Sequence, residues 1–110
     1  MHRGYVKLWR KSLESAAFQT DGMWRLWTWC LMKASHQKRV VGIKIGRGEA
    51  VVEVQAGQFI FGRTSAAKEL RLRGGTLYDR MVKLAKHGNI NIQPHTHYSI
   101  VTICTWTSYQ

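Results

Sequence analysis

Negative charge is scarce in this chain. Of its 110 residues six are Asp or Glu, against seventeen Lys or Arg, which leaves a net charge of +11 with histidine neutral. So few acids, scattered along the chain, provide no carboxylate pair for acid–base chemistry, and no nucleophile stands with a base. A phosphate-cradling loop is missing too, because Gly46-Arg47-Gly48 has no Lys-Ser/Thr after it. The expectation is a protein that is not an enzyme and needs no cofactor. Metal ligands are equally sparse. His95-x-His97 is the only close pair and has no Cys or carboxylate beside it, so it reads as a solvated loop rather than a metal site.

Cysteine is rare as well. Cys30 and Cys104 sit far apart within apolar stretches, and nothing pairs them. Both read as small buried hydrophobes in a reducing compartment. No apolar run approaches the ~20 residues of a membrane span. Met1-His2-Arg3-Gly4 is not followed by the apolar core of a secretory leader. A cytoplasmic protein without a membrane role is expected. Residues 5–18, with Lys7, Trp9, Arg10 and Lys11, come nearest to a membrane-surface helix, but their apolar stripe is poor.

What the chain does have is apolar residues, aromatic rings and positive charge. Hydrophobic residues make up 45% of it, with five Trp, four Tyr and three Phe, which excludes disorder. The length fits one domain with a real core. The excess of cations favours a polyanionic partner, nucleic acid ahead of anionic membrane. Its distribution narrows the surface involved. Every Lys and Arg lies between Arg3 and Lys86, and residues 87–110 carry no Lys, Arg, Asp or Glu. The last quarter is therefore no electrostatic arm at neutral pH, and His95 and His97 add charge there only in mild acid.

Periodicity organises the rest. Thr20-Asp21-Gly22 reads as a helix start with Asp21 as the N-cap. Met23, Leu26, Trp27, Cys30, Leu31 and Ala34 then fall on one helical face, with Trp29 and Met32 on the other. A helix apolar on both sides is sandwiched between two elements or meets another chain. Val41–Ile45 and Glu49–Val54 are rich in β-branched residues around a glycine turn, which predicts a hairpin. Gln58–Phe61 is a short strand. A helix capped by Thr64 or Ser65 runs to about Leu70, with Ala66, Ala67 and Leu70 inward. After a tight connection, 71–75, Thr76 opens a second helix with a Leu77, Met81, Leu84, Ala85 stripe, ended by His87-Gly88. Ile90 and Ile92 alternate with polar residues, Pro94–His97 forms a loop tip, and Tyr98–Trp106 is β-rich.

From residue 57 onward the order is strand, helix, turn, helix, strand, loop, strand. That is a helix-turn-helix followed by a β-hairpin wing, and its second helix is the usual reader of the DNA major groove. The fold class expected is α+β, a winged helix-turn-helix with an extra N-terminal helical or extended segment and a small antiparallel β-sheet. Residues 1–20 are the N-terminal extension, 21–35 hold the first core helix, and 57–106 hold the helix-turn-helix and wing of a single domain. The groove-facing candidates are Arg71, Arg73, Thr76, Tyr78, Arg80 and Lys83, and the phosphate candidates are Arg63, Lys68 and Lys86. Seven cations lie between Arg63 and Lys86 against two acids, Glu69 and Asp79.

Several stretches resemble, in order, the N-terminal winged-helix domain of the DnaD-like replication initiation proteins, or replisome organisers, of Gram-positive bacteria and their phages. They are Gly4–Lys11, Trp27–His36, Gly57–Arg63, Thr76-Leu77-Tyr78, Tyr98–Ile103 and Trp106–Gln110. The resemblance covers nearly the whole chain, each motif being loose and the ordered set specific. It implies a domain that helps load replication machinery at an origin, can self-associate, and is normally followed by a second helical domain that binds DNA and partners. Gly74-Gly75 and Asp79 depart from the family's polar cap and basic reader residue, and the wing lacks fixed charge. Weak, salt-sensitive binding to double-stranded DNA, rather than tight sequence-specific binding, is the expectation. The alternative is a protein-interaction module, forming a homodimer or higher oligomer through the N-terminal segment and the Trp29/Met32 face, or contacting other replication proteins. A transcriptional regulator would present the same DNA surface.

Overall fold

The computed structural model describes residues 20–104 and 106, so the predicted N-terminal extension lies outside the described residues save for Thr20. The chain forms helix α1 (Asp21–Lys33), strands β1 (Arg39–Ile45), β2 (Gly48–Val54) and β3 (Gln58–Phe61), helices α2 (Arg63–Leu70) and α3 (Gly74–Lys86), and strands β4 (Ile90–Pro94) and β5 (Ser99–Ile103). Among the described residues it is an α+β arrangement of three helices and two small antiparallel sheets. Among the described residues no helix is long and apolar enough to cross a membrane.

The N-cap of α1 is Thr20 rather than Asp21. The Thr20 hydroxyl accepts the Met23 N–H at 3.1 Å, and Asp21, one step later, places its charge in the first turn instead. Either position complements the free N–H groups there, and the β-region backbone of Thr20 decides. The predicted stripe from Met23 to Ala34 is buried throughout. For Trp29 the sandwiched alternative holds. It is only 9% exposed and packs edge-on against Phe59 and Phe61, at ring centroid distances of 5.6 and 6.4 Å. Its side of α1 is covered by β3 of the same chain, while Met32, 69% exposed, stays in solvent.

The two sheets do different work. β1 and β2 pair alone, from Arg39↔Val54 to Ile45↔Gly48, across a two-residue loop in which Gly46 takes φ +57°. Glycine supplies that backbone without steric cost. In the second sheet β5 lies between β3 and β4, with Phe59 opposite Val101 and Val101 opposite Ile92. Phe59, Phe61, Ile90, Val101 and Ile103 face the core on alternate positions. Cys30, Leu77, Met81 and Leu84 meet them from α1 and α3 and are fully buried. Cys104, read as buried, is only half-buried because β5 ends at Ile103 and the chain turns outward there.

Candidate nucleic-acid interface

The connection between α2 and α3 is set by how α2 stops. The Arg71 N–H donates to the Lys68 carbonyl at 3.4 Å and the Leu72 N–H to the Ala67 carbonyl at 3.0 Å. This is a Schellman ending, whose turning residue needs left-handed backbone. α3 ends in the same way, the Gly88 N–H reaching Ala85 and the Asn89 N–H reaching Leu84, with Gly88 at φ +79°. In α2 that residue is Arg71, at φ +56°, the one non-glycine residue with positive φ among those described. A left-handed backbone costs a side-chain-bearing residue about 1–2 kcal/mol, so glycine would suit the fold better. Leu72 then packs on the core and Arg73 becomes the N-cap of α3, without a side-chain hydrogen bond.

Helix starts were the least legible feature. Thr64 and Ser65 do not cap α2; Gly62 does, and Arg63 is already helical. Thr76 does not open α3; Gly74 and Gly75 form its first turn. Gly74 has a packing reason. A Cβ there would stand 3.3 Å from Cδ of Arg63, whose chain crosses that turn. Beyond it the Arg63 guanidinium lies over Tyr78, 4.4 Å from the ring centroid. Nothing lies within 4 Å of a Cβ built on Gly75.

Arg63, Lys68, Arg71, Arg73, Lys83 and Lys86 are exposed, and Tyr78 is 41% exposed. Thr76 is half-buried. Arg80 is also half-buried, and its guanidinium lies against the first turn of α1, 2.7 Å from where a Cβ of Gly22 would stand. Helical spacing thus splits the candidates. Tyr78 takes the flank toward α2, Arg80 the flank toward α1, and Asp79, Lys83 and Lys86 lie outward between them. Val82, which the sequence reading passed over, is also exposed on this face.

Two ion pairs occur among the described residues, Lys33–Glu69 at 2.9 Å and Lys38–Glu53 at 3.5 Å. Neither involves Asp79 or any of the seven cations from Arg63 to Lys86. Glu69, one of the two acids in that stretch, faces α1. Its carboxyl is held below the usual range by the Lys33 ammonium, against a smaller opposing effect of burial. The indole N–H of Trp29 helps least and falls outside hydrogen-bond geometry. The remaining cations keep an uncompensated positive field.

The hairpin of β4 and β5 adds what sequence reasoning missed. His95, His97 and Tyr98 at its tip approach Arg63 and Tyr78 around a cleft of about 190 Å³, with Phe61, Gly62 and Ser99 completing its walls. A larger cavity of about 370 Å³, lined by residues 32–37 and Arg39, lies at the end of α1 and gathers none of these residues. No group of three metal-ligating side chains occurs among the described residues. Burial pushes the Cys30 thiol far up, away from thiolate chemistry.

Comparison with protein-family models, curated proteins and solved structures finds no match for this chain.

Proposed function

We propose that the chain binds double-stranded DNA without catalysing a reaction, as a winged helix-turn-helix with α3 in the major groove. One observation carries the reading. Seven cations line α2, the turn and α3, and none of them meets an acidic partner among the described residues. A folded surface with that much uncompensated charge attracts phosphate. Arg71 strengthens the case, because a residue kept in unfavourable backbone calls for a reason outside folding. The strand order β3-β5-β4, with α2 and α3 between β3 and β4 in the chain, supports the winged-helix assignment, as does the tip of the last hairpin lining a cleft with Arg63 and Tyr78.

In this reading Tyr78 and Lys83 approach base edges, with Thr76 at the start of α3; Arg71 and Arg73, expected at the groove, lie in the turn ahead of the helix and join Arg63, Lys68 and Lys86 on phosphates. Arg80 contributes from the α1 flank. Asp79 repels the backbone but accepts a hydrogen bond from a cytosine amino group. The resemblance to DnaD-like proteins supplies the setting, initiation of DNA replication in a bacterium or phage.

The test is binding to a labelled random duplex at several salt concentrations, wild type beside Arg73→Ala/Lys83→Ala. A steep loss of wild-type affinity with salt is expected, with the variant weaker and its salt slope shallower by about 1, for the phosphate contact of Arg73. Absence of wild-type binding at low salt, or a variant matching it, would sink the proposed surface.

A further inference from the structure

The wing has no fixed charge, yet its tip stands beside Arg63 of α2 and the ring of Tyr78. His95 stacks on Tyr98, with ring centroids 4.8 Å apart and planes 14° from parallel. The His95 N–H donates to the Tyr98 carbonyl at 2.8 Å, which closes the tip and holds that stack. His97 lines the same cleft, with Arg63 across from it on α2. Lying over Tyr78, the Arg63 guanidinium has one face occupied and its N–H groups at the edge, the geometry for a bidentate anion. At about 190 Å³ the cleft is smaller than the ~300 Å³ at which small-molecule pockets begin. It suits one anionic group on a chain passing through, not a whole ligand.

We propose that this cleft seats a backbone phosphate of DNA between Arg63 and the wing histidines His95 and His97, so that the wing grips DNA in mild acid and releases it in alkali. The inference rests on the DNA-binding reading and adds to it a contact surface and a control. Histidine is the side chain whose charge changes between about pH 5 and pH 8. The groups facing the two imidazoles are Arg63 from α2, Tyr78 from α3 and Tyr98 and Ser99 from the start of β5. None is a carboxylate, so no internal acid competes for the imidazole and guanidinium N–H groups of the cleft, and a phosphate diester carries the matching charge and acceptor oxygens.

The experiment is anisotropy of a labelled duplex at fixed ionic strength, at about pH 8 and about pH 6, for wild type, His95→Gln/His97→Gln and His97→Lys. Wild type is expected to tighten by about tenfold on acidification, as charge-assisted contacts form. The glutamine variant should gain less than half of that increase on acidification, the rest coming from the other histidines. His97→Lys should bind more tightly than wild type at the higher pH and respond less to acid. Wild type that binds with no pH response, or a glutamine variant that keeps the full response, overturns this proposal and leaves the DNA-binding reading standing. Failure of wild type to bind at either pH overturns both. Replacing chloride by inorganic phosphate at equal ionic strength should leave the response in place. Its loss there would assign the cleft to a free anion rather than to DNA.

Discussion

The Arg63 guanidinium lies 4.4 Å from the centroid of the Tyr78 ring, joining the first residue of α2 to the first turns of α3. Sequence reading had given these residues separate tasks, one on phosphates and one in the groove. The stack makes them a unit and holds the guanidinium at the surface. An exposed cation–π pair is worth about 0.5–1 kcal/mol. A double-mutant cycle of Arg63→Ala and Tyr78→Ala by urea denaturation should return a coupling of that size, with Tyr78→Phe retaining it. Zero coupling would mean that the two side chains part in solution.

Arg71 is the position where folding and binding want different residues. Arg71→Gly relieves the left-handed backbone and should raise stability by about 1 kcal/mol, while removing one phosphate contact and lowering the salt slope for duplex DNA by about 1. Thermal melting and salt-dependent binding read the two effects separately. A variant that is more stable and binds unchanged would strike Arg71 from the interface.

Two glycines should respond in opposite directions. Gly57 has φ +83°, and a Cβ there would come within 2.7 Å of Trp106, so Gly57→Ala should cost about 2–4 kcal/mol through strain and overpacking. Gly75 lies in helix with open space around it, and Gly75→Ala should stabilise by about 0.5–1 kcal/mol. Denaturant midpoints of the two variants on opposite sides of wild type are the expected result. A stabilised Gly57→Ala would show that Trp106 packs elsewhere.

Glu69 sets part of the acid limb of stability. Its carboxyl is held low in the folded state by Lys33, so it binds its proton more readily when unfolded. Its contribution is complete above the ordinary carboxylate range and fades as pH falls through the lowered folded value. The pair is half-exposed, which keeps the effect small. Glu69→Gln should leave a shallower loss of stability on acidification than wild type. An identical acid limb would mean that the pair adds nothing in solution.

The elements were legible wherever a periodic stripe met a core. The α1 stripe, the Leu77–Met81–Leu84 stripe and the alternation of Ile90 and Ile92 all depend on spacing alone, and spacing is local. Helix starts were not legible. Thr20 against Asp21, Gly62 against Thr64, and Gly74 against Thr76 differ by backbone angle, which two adjacent polar or small residues do not distinguish. The cover of Trp29 stayed open in the sequence for a related reason. Its position on the far side of α1 is a helical fact, whereas its cover, Phe59 and Phe61, arrives from some thirty residues away in the chain.

The amino-acid order by itself determined the charge, its restriction to residues before 87, and the run of strand, helix, turn, helix, strand and strand. These follow from composition and from the periods 3.6 and 2, which need no neighbour. Only the tertiary structure decided which cations share a surface. It leaned Arg80 on α1, laid Arg63 over Tyr78, bound Glu69 to Lys33, and brought the uncharged wing to the start of α2. The reason is physical. Side-chain partnership depends on how helices and sheet close around Leu77, Met81, Val101 and their neighbours, and that closure is a property of the whole core rather than of any segment.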